Sequence, residues 1–135
     1  YQNIEMQRFI ERHGLHSFKM NPHFPVMSLQ IIRGAIAAEN DGYLEDYIDK
    51  VLVHMWEEPK KMDDPEVIHS AFEESGFDAN KLMEQMQDPD VKAKLITNTE
   101  AAVERGVFGI PTFFVGDEMF FGKDKLWEVE ELLND

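Results

Sequence analysis

Gly106-Val107-Phe108-Gly109-Ile110-Pro111-Thr112-Phe113-Phe114-Val115-Gly116 joins a helix stop, a proline at a strand start and an apolar strand in one short stretch. Gly106 follows a helical pattern that runs to Arg105, and a glycine there takes the left-handed conformation without a Cβ penalty. Pro111 has no N–H to give to a sheet ladder, so it belongs at the first residue of a strand or at an edge. The run 112–115 behind it is expected to be a buried strand. If the Ile110–Pro111 bond is cis, a form concentrated at proline, the main-chain N–H and C=O of Ile110 turn outward. They can then pair with an extended, peptide-like ligand.

Moving outward, the 43% hydrophobic and 11% aromatic content of the 135 residues supports one real core in one or two small domains. The net charge of −14 argues against a nucleic-acid partner or an anionic membrane surface. No apolar run has the length of a membrane span, and residues 1–20 lack a signal-peptide pattern, so a cytoplasmic location is expected. There is no cysteine, which excludes a disulfide framework and any dithiol chemistry carried by these residues. A borrowed thiol is not excluded.

In chain order, Ile4, Met6, Phe9, Ile10 and His13 form a helical stripe that stops at Gly14. Residues 15–25, with Pro22 and Pro25, read as an extended loop. A helix covered on most of its surface is expected over 26–39, followed by the turn Asn40-Asp41-Gly42. Tyr43, Leu44, Tyr47, Ile48, Val51, Leu52, Met55 and Trp56 recur at amphipathic spacing. Residues 57–64 read as the most mobile segment. Asp64-Pro65 and Asp88-Pro89 are both an N-cap followed by proline at the first helical position, and Asp78 caps a short helix between them. The Asp88-Pro89 cap precedes a helix that carries Val91, Leu95, Thr99, Ala102 and Val103. After the Pro111 strand, Gly116-Asp117 is a hairpin turn into Met119-Phe120-Phe121. A closing helix over 123–133 presents Leu126, Val129, Leu132 and Leu133 to the interior.

His13, His16 and His23 are close in sequence but do not form a ligand set, so no metal is expected. The methionines read as core filler, and Glu57-Glu58 and Glu73-Glu74 as solvated faces.

The string GVFGIPTFFVGDEMFFGKDKLWEVEELL resembles the C-terminal half of a thioredoxin-like superfamily. Its members include 2-hydroxychromene-2-carboxylate isomerases, kappa-class glutathione transferases and DsbA-type disulfide oxidoreductases. The isomerase and kappa branch is the most similar. Gly122-Lys123-Asp124-Lys125-Leu126 resembles its G-x-D-R-L segment, and Asn21-Pro22-His23-Phe24-Pro25 resembles the loop leading into its helical domain. The resemblance implies an α/β class, a thioredoxin-like fold with an all-helical insertion. Residues 1–90 would be the helical insertion domain and 91–135 the C-terminal α-ββα part of the thioredoxin-like domain. Tyr1 opens directly in helical periodicity without a methionine, so the chain is expected to be a piece of a longer protein. In the family, a strand, helix and strand come first and carry the serine or cysteine that faces the thiol, so no catalytic residue is expected within this chain.

The resemblance further implies glutathione as cofactor. Ile110, preceding Pro111, would pair its main chain with the cysteinyl part. Asp124 would meet the α-amino end of the γ-glutamyl part, with Lys123 reaching a carboxylate. The implied activity is glutathione-dependent isomerisation by reversible thiolate addition to a small aromatic substrate walled by Phe9, Phe24, Met27 and Phe108. A kappa-type transferase, a DsbA-type oxidoreductase and a non-catalytic binding module are the alternatives. The open edges of a two-stranded sheet suggest a homodimer, and the 135 residues alone are expected to be inactive.

Overall fold

The computed structural model describes residues 2–134, which fall into two compact units divided between Leu95 and Ile96. The first is helical. Its elements are α1 (Gln2–His13), α2 (Leu29–Asn40), α3 (Leu44–Trp56), α4 (Pro65–Glu74), α5 (Ala79–Gln85) and the start of α6 (Pro89–Glu104). The local signals act as expected. Asp64 accepts a hydrogen bond from the Glu66 N–H at 3.0 Å, Asp78 from Lys81 at 3.2 Å and Asp88 from Asp90 at 2.7 Å, so each cap satisfies an otherwise unpaired first-turn donor.

Helix α2 packs against α3 and α5, and α4 against α5. Tyr47, Phe72, Ile68, Met62, Leu82 and Met86 fill the interior at 2% exposure or less. Phe72 touches Tyr47 and Phe77, with ring centroids 5.8 and 6.2 Å apart. Truncating a ring so enclosed to alanine costs about 3–5 kcal/mol, because lost transfer and an unfilled cavity add.

Two readings of this unit change. Helix α2 begins at Leu29, not at 26: Ser28 is its N-cap residue, and residues 26–27 carry no regular structure. Its outer face is also open, with Leu29 and Ile32 exposed. Residues 57–64 are anchored rather than loose. Met62 is fully buried, Lys60 N–H donates to His54 O at 2.8 Å, and the Asn21 amide donates to Lys60 O at 2.9 Å and Met55 O at 3.0 Å.

The second unit holds the end of α6, an antiparallel hairpin of β1 (Thr112–Val115) and β2 (Glu118–Phe121), and a 3₁₀ turn (Lys123–Lys125) that runs into α7 (Leu126–Leu133). Thr112 pairs with Phe121 and Val115 with Glu118 across the Gly116-Asp117 turn. The strand β1 is half-buried, not buried, and Leu126, Leu132 and Leu133 are exposed, contrary to expectation; Val103 on α6 is exposed as well. The reason is geometric: among the described residues the sheet has two strands, and α7 against β1 is too small a layer to cover both partners. Only Val129 of the expected inward positions on α7 is half-buried.

Candidate functional site

The site residues of the second unit are placed by how α6 ends. Val107 N–H donates to Ala102 O at 3.1 Å and Gly106 N–H to Val103 O at 2.9 Å, with Gly106 at φ +96°. This is the paired closure that a left-handed residue after the last turn permits, and it uses two carbonyls that the helix would leave open. The chain is thereby turned back so that residues 107–110 stand beside the last turns of α6. Arg105, the residue before the turn, lays its guanidinium over the Phe114 ring with 3.6 Å from carbon to centroid.

Next, Thr112 Oγ1 donates to Gly109 O at 2.7 Å, and Gly122 N–H donates to Pro111 O at 2.8 Å. The Ile110–Pro111 bond is cis. The carbonyls on both sides of Ile110 are therefore engaged, yet among the described residues neither the N–H nor the C=O of Ile110 has a hydrogen-bond partner. Its residue is 88% exposed, so those groups face solvent and are satisfied there.

The Gly122–Pro111 bond also brings the start of the 3₁₀ turn beside the Ile110 loop. Lys123 Nζ meets Asp124 Oδ1 at 2.7 Å, with the Asp124 side chain 81% exposed. Ile110, Pro111, Lys123 and Asp124 thus gather at one end of the hairpin, offering one donor, one acceptor, a cation and an anion. Phe108 is exposed and tilts against Phe121, centroids 4.7 Å apart. A hollow of about 580 Å³ lies alongside, lined by Asn98, Thr99, Ala102, Val103, Val107, Phe108, Gly109 and Ile110.

The other expected wall residues belong to the helical unit. Phe9 is half-buried against His13, Phe24 is exposed and tilted on Trp56 at 5.9 Å, and Met27 is exposed.

Sequence reasoning missed a polar cluster around the buried His54 in the same unit. His54, Glu58 and Glu74 come together, and the Lys60 ammonium sits among them, 2.8 Å from His54 Nδ1, 3.4 Å from Glu74 and 3.7 Å from Glu58. Ser75 Oγ donates to Ala71 O at 2.8 Å, so it accepts from His54 Nε2–H at 2.8 Å, leaving Nδ1 to accept from Lys60. Burial, followed by the Lys60 charge, holds the His54 pKa below its usual value. With its own resident cation, this cluster is a structural staple between α3, α4 and the 57–63 loop. No local spacing announces it, since His54 and Ser75 are 21 positions apart.

With this geometry in place, comparison with known proteins defines the class. A family model for the DSBA-like thioredoxin domain matches residues 2–134, and the chain belongs to that family. A 2-hydroxychromene-2-carboxylate isomerase of Pseudomonas putida is 26% identical over 134 residues, covering 98% of this chain and 64% of that protein. Glutathione S-transferase kappa 1 of Homo sapiens is 27% identical over 138 residues, covering 89% of this chain and 61% of that protein. A solved structure of a 2-hydroxychromene-2-carboxylate isomerase superposes with a TM-score of 0.84 at 26% identity, over 99% of this chain and 64% of that one. The chain thus spans a little under two-thirds of the length of these relatives. Among its described residues no helix is long and apolar enough to cross a membrane.

Proposed function

We propose that the protein acts as a glutathione-dependent isomerase of the 2-hydroxychromene-2-carboxylate type, and that residues 106–124 hold the tripeptide. The observation that carries this reading is the unpaired N–H and C=O of Ile110 beside the Lys123–Asp124 pair. An extended peptide needs one main-chain donor and one acceptor at the same residue, as in strand addition at a sheet edge. The γ-glutamyl end of glutathione is an α-amino acid zwitterion. Asp124 accepts from its ammonium and Lys123 donates to its carboxylate, so the resident ion pair exchanges for two charge-assisted contacts. The donor set therefore fits the group.

When bound, glutathione supplies a nucleophilic thiolate for reversible addition to a conjugated substrate. The chain's own part is to bind and orient: Ile110 fixes the cysteinyl main chain, Asp124 and Lys123 fix the far end, and Phe108 shields one side of the thiol region from water. The similarity to the Pseudomonas isomerases supports the isomerase reading. The similarity to the kappa transferase favours a second one, conjugation of glutathione to electrophiles at the same site. An assay with 2-hydroxychromene-2-carboxylate and one with 1-chloro-2,4-dinitrobenzene, each with and without glutathione, separates them. Glutathione-dependent turnover of the chromene without net thiol consumption is expected, and thiol consumption with the second substrate alone would favour the transferase.

A further inference from the structure

We propose that Thr112 is a positioning residue of the peptide site: its hydroxyl, acting through the Gly109 carbonyl, aims the Ile110 N–H that donates to the bound tripeptide. This rests on the glutathione reading for the identity of the ligand, whereas the aiming itself belongs to the free protein. The amide between Gly109 and Ile110 is trans, so the Gly109 C=O and the Ile110 N–H lie in one plane and point in opposite directions. Whatever fixes that carbonyl therefore fixes the N–H. Thr112 Oγ1 donates to Gly109 O at 2.7 Å from a half-buried position at the start of β1. Threonine is branched and stiff at χ1, so holding its hydroxyl there costs little side-chain freedom.

A second contact holds the same peptide unit. Gly109 lies so close to the Phe121 ring that a Cβ on it would come within 2.8 Å of Phe121 Cε2, and Phe121 is the cross-strand partner of Thr112. One pair of the hairpin thus grips Gly109 from both a hydroxyl and a ring, and the Phe108 ring braces Phe121 with centroids 4.7 Å apart. On the other side of Ile110, the Gly122 N–H donates to Pro111 O at 2.8 Å and anchors the peptide unit that follows Pro111. Ile110, 88% exposed, stands between two anchored units with its own N–H and C=O turned to solvent. A solvent-facing amide that follows a glycine has wide rotational freedom, and a ligand that must order it loses affinity. The Thr112 hydroxyl does that ordering before the ligand arrives.

The test compares wild type, Thr112→Val and Thr112→Ser as ¹⁵N-labelled proteins, first alone and then with glutathione. Valine keeps the branched shape that suits a strand and removes the hydroxyl donor. In free wild type the Ile110 amide should have the order of rigid backbone, S² about 0.85, and in Thr112→Val it should fall to about 0.6, with the Phe113 and Phe120 amides unchanged. Glutathione should bind Thr112→Val about fivefold more weakly, the factor that one net hydrogen bond carries, and Thr112→Ser should restore Ile110 order and bring the Kd within about twofold of wild type. Asp124→Asn, by contrast, should weaken glutathione without altering Ile110 order. Wild-type Ile110 order in Thr112→Val, or lost order with an unchanged glutathione Kd, would overturn the proposal. Lost order in Thr112→Val with no glutathione binding by wild type would leave the aiming of Ile110 standing and remove the glutathione reading.

Discussion

The Arg105 guanidinium lies 3.6 Å from the centre of the Phe114 ring, so the last residue before the α6 turn is clasped to the first strand after the Ile110 loop. The loop between them is held at both ends. A cation over a half-buried ring at the surface contributes about 1 kcal/mol, and Arg105→Ala should lower the stability of this unit by that amount. Hydrogen exchange at the Phe113 and Phe114 amides reads the effect directly. Arg105→Lys should recover only part of it, because the planar stack is lost. Equal exchange in wild type and Arg105→Ala would show that the clasp contributes nothing.

Gly34 and Tyr47 make a second close relationship, in the helical core. A Cβ on Gly34 would clash with the Tyr47 hydroxyl, which donates to Ile31 O at 2.6 Å and belongs to a buried ring. Alanine would gain about 1 kcal/mol in helix propensity. Overpacking of a ring with nowhere to move costs about 1–3 kcal/mol and wins. Gly34→Ala is therefore expected to be destabilising in urea titration, and Tyr47→Phe to cost about 1 kcal/mol for the lost hydrogen bond.

Acid should loosen the His54 staple. Its folded-state pKa lies below the usual 6.5 because burial and Lys60 disfavour the imidazolium. Between the two values the unfolded chain binds more protons, so stability rises with pH. The contribution is fully present above about pH 6.5 and is lost as pH falls through the folded-state value. Thermal melts from pH 5 to 8 should show this slope, and His54→Gln should flatten it. An identical slope in the variant would assign it to other groups.

Removing one charge at a time at the hairpin end tests the two partners of the proposed zwitterion site. Asp124→Asn and Lys123→Ala should each weaken glutathione by about 1 kcal/mol, roughly fivefold in Kd, the modest figure appropriate to exposed charge-assisted bonds. Raising the ionic strength should shrink both effects.

What was legible in the sequence was local. The aspartate-proline caps at 64–65 and 88–89, the stop at Gly106 and the Gly116-Asp117 hairpin each depend on a few adjacent residues, and each appears where its chemistry puts it. Burial was less legible, because it depends on what covers a face. Leu126, Leu132 and Leu133 have the spacing of inward residues, yet the layer beside them is a single hairpin. Loop 57–64 looked mobile from its charges and proline, whereas Met62 and the distant Asn21 amide pin it. In the candidate site, the cis bond at Ile110–Pro111 was readable from proline placement, and Ile110 and Asp124 were singled out by family resemblance. The stack of Arg105 on Phe114 was not, since it comes from the direction in which the chain turns after Gly106.

The central claim is that Ile110 and Asp124 hold glutathione, and a titration of ¹⁵N-labelled protein with glutathione tests it most directly. The account predicts that the Ile110 amide shifts downfield on gaining a hydrogen bond, that Lys123 and Asp124 shift with the same Kd, and that Asp124→Asn raises that Kd severalfold. An Ile110 amide unmoved at saturating glutathione, or equal affinity in wild type and Asp124→Asn, would contradict it.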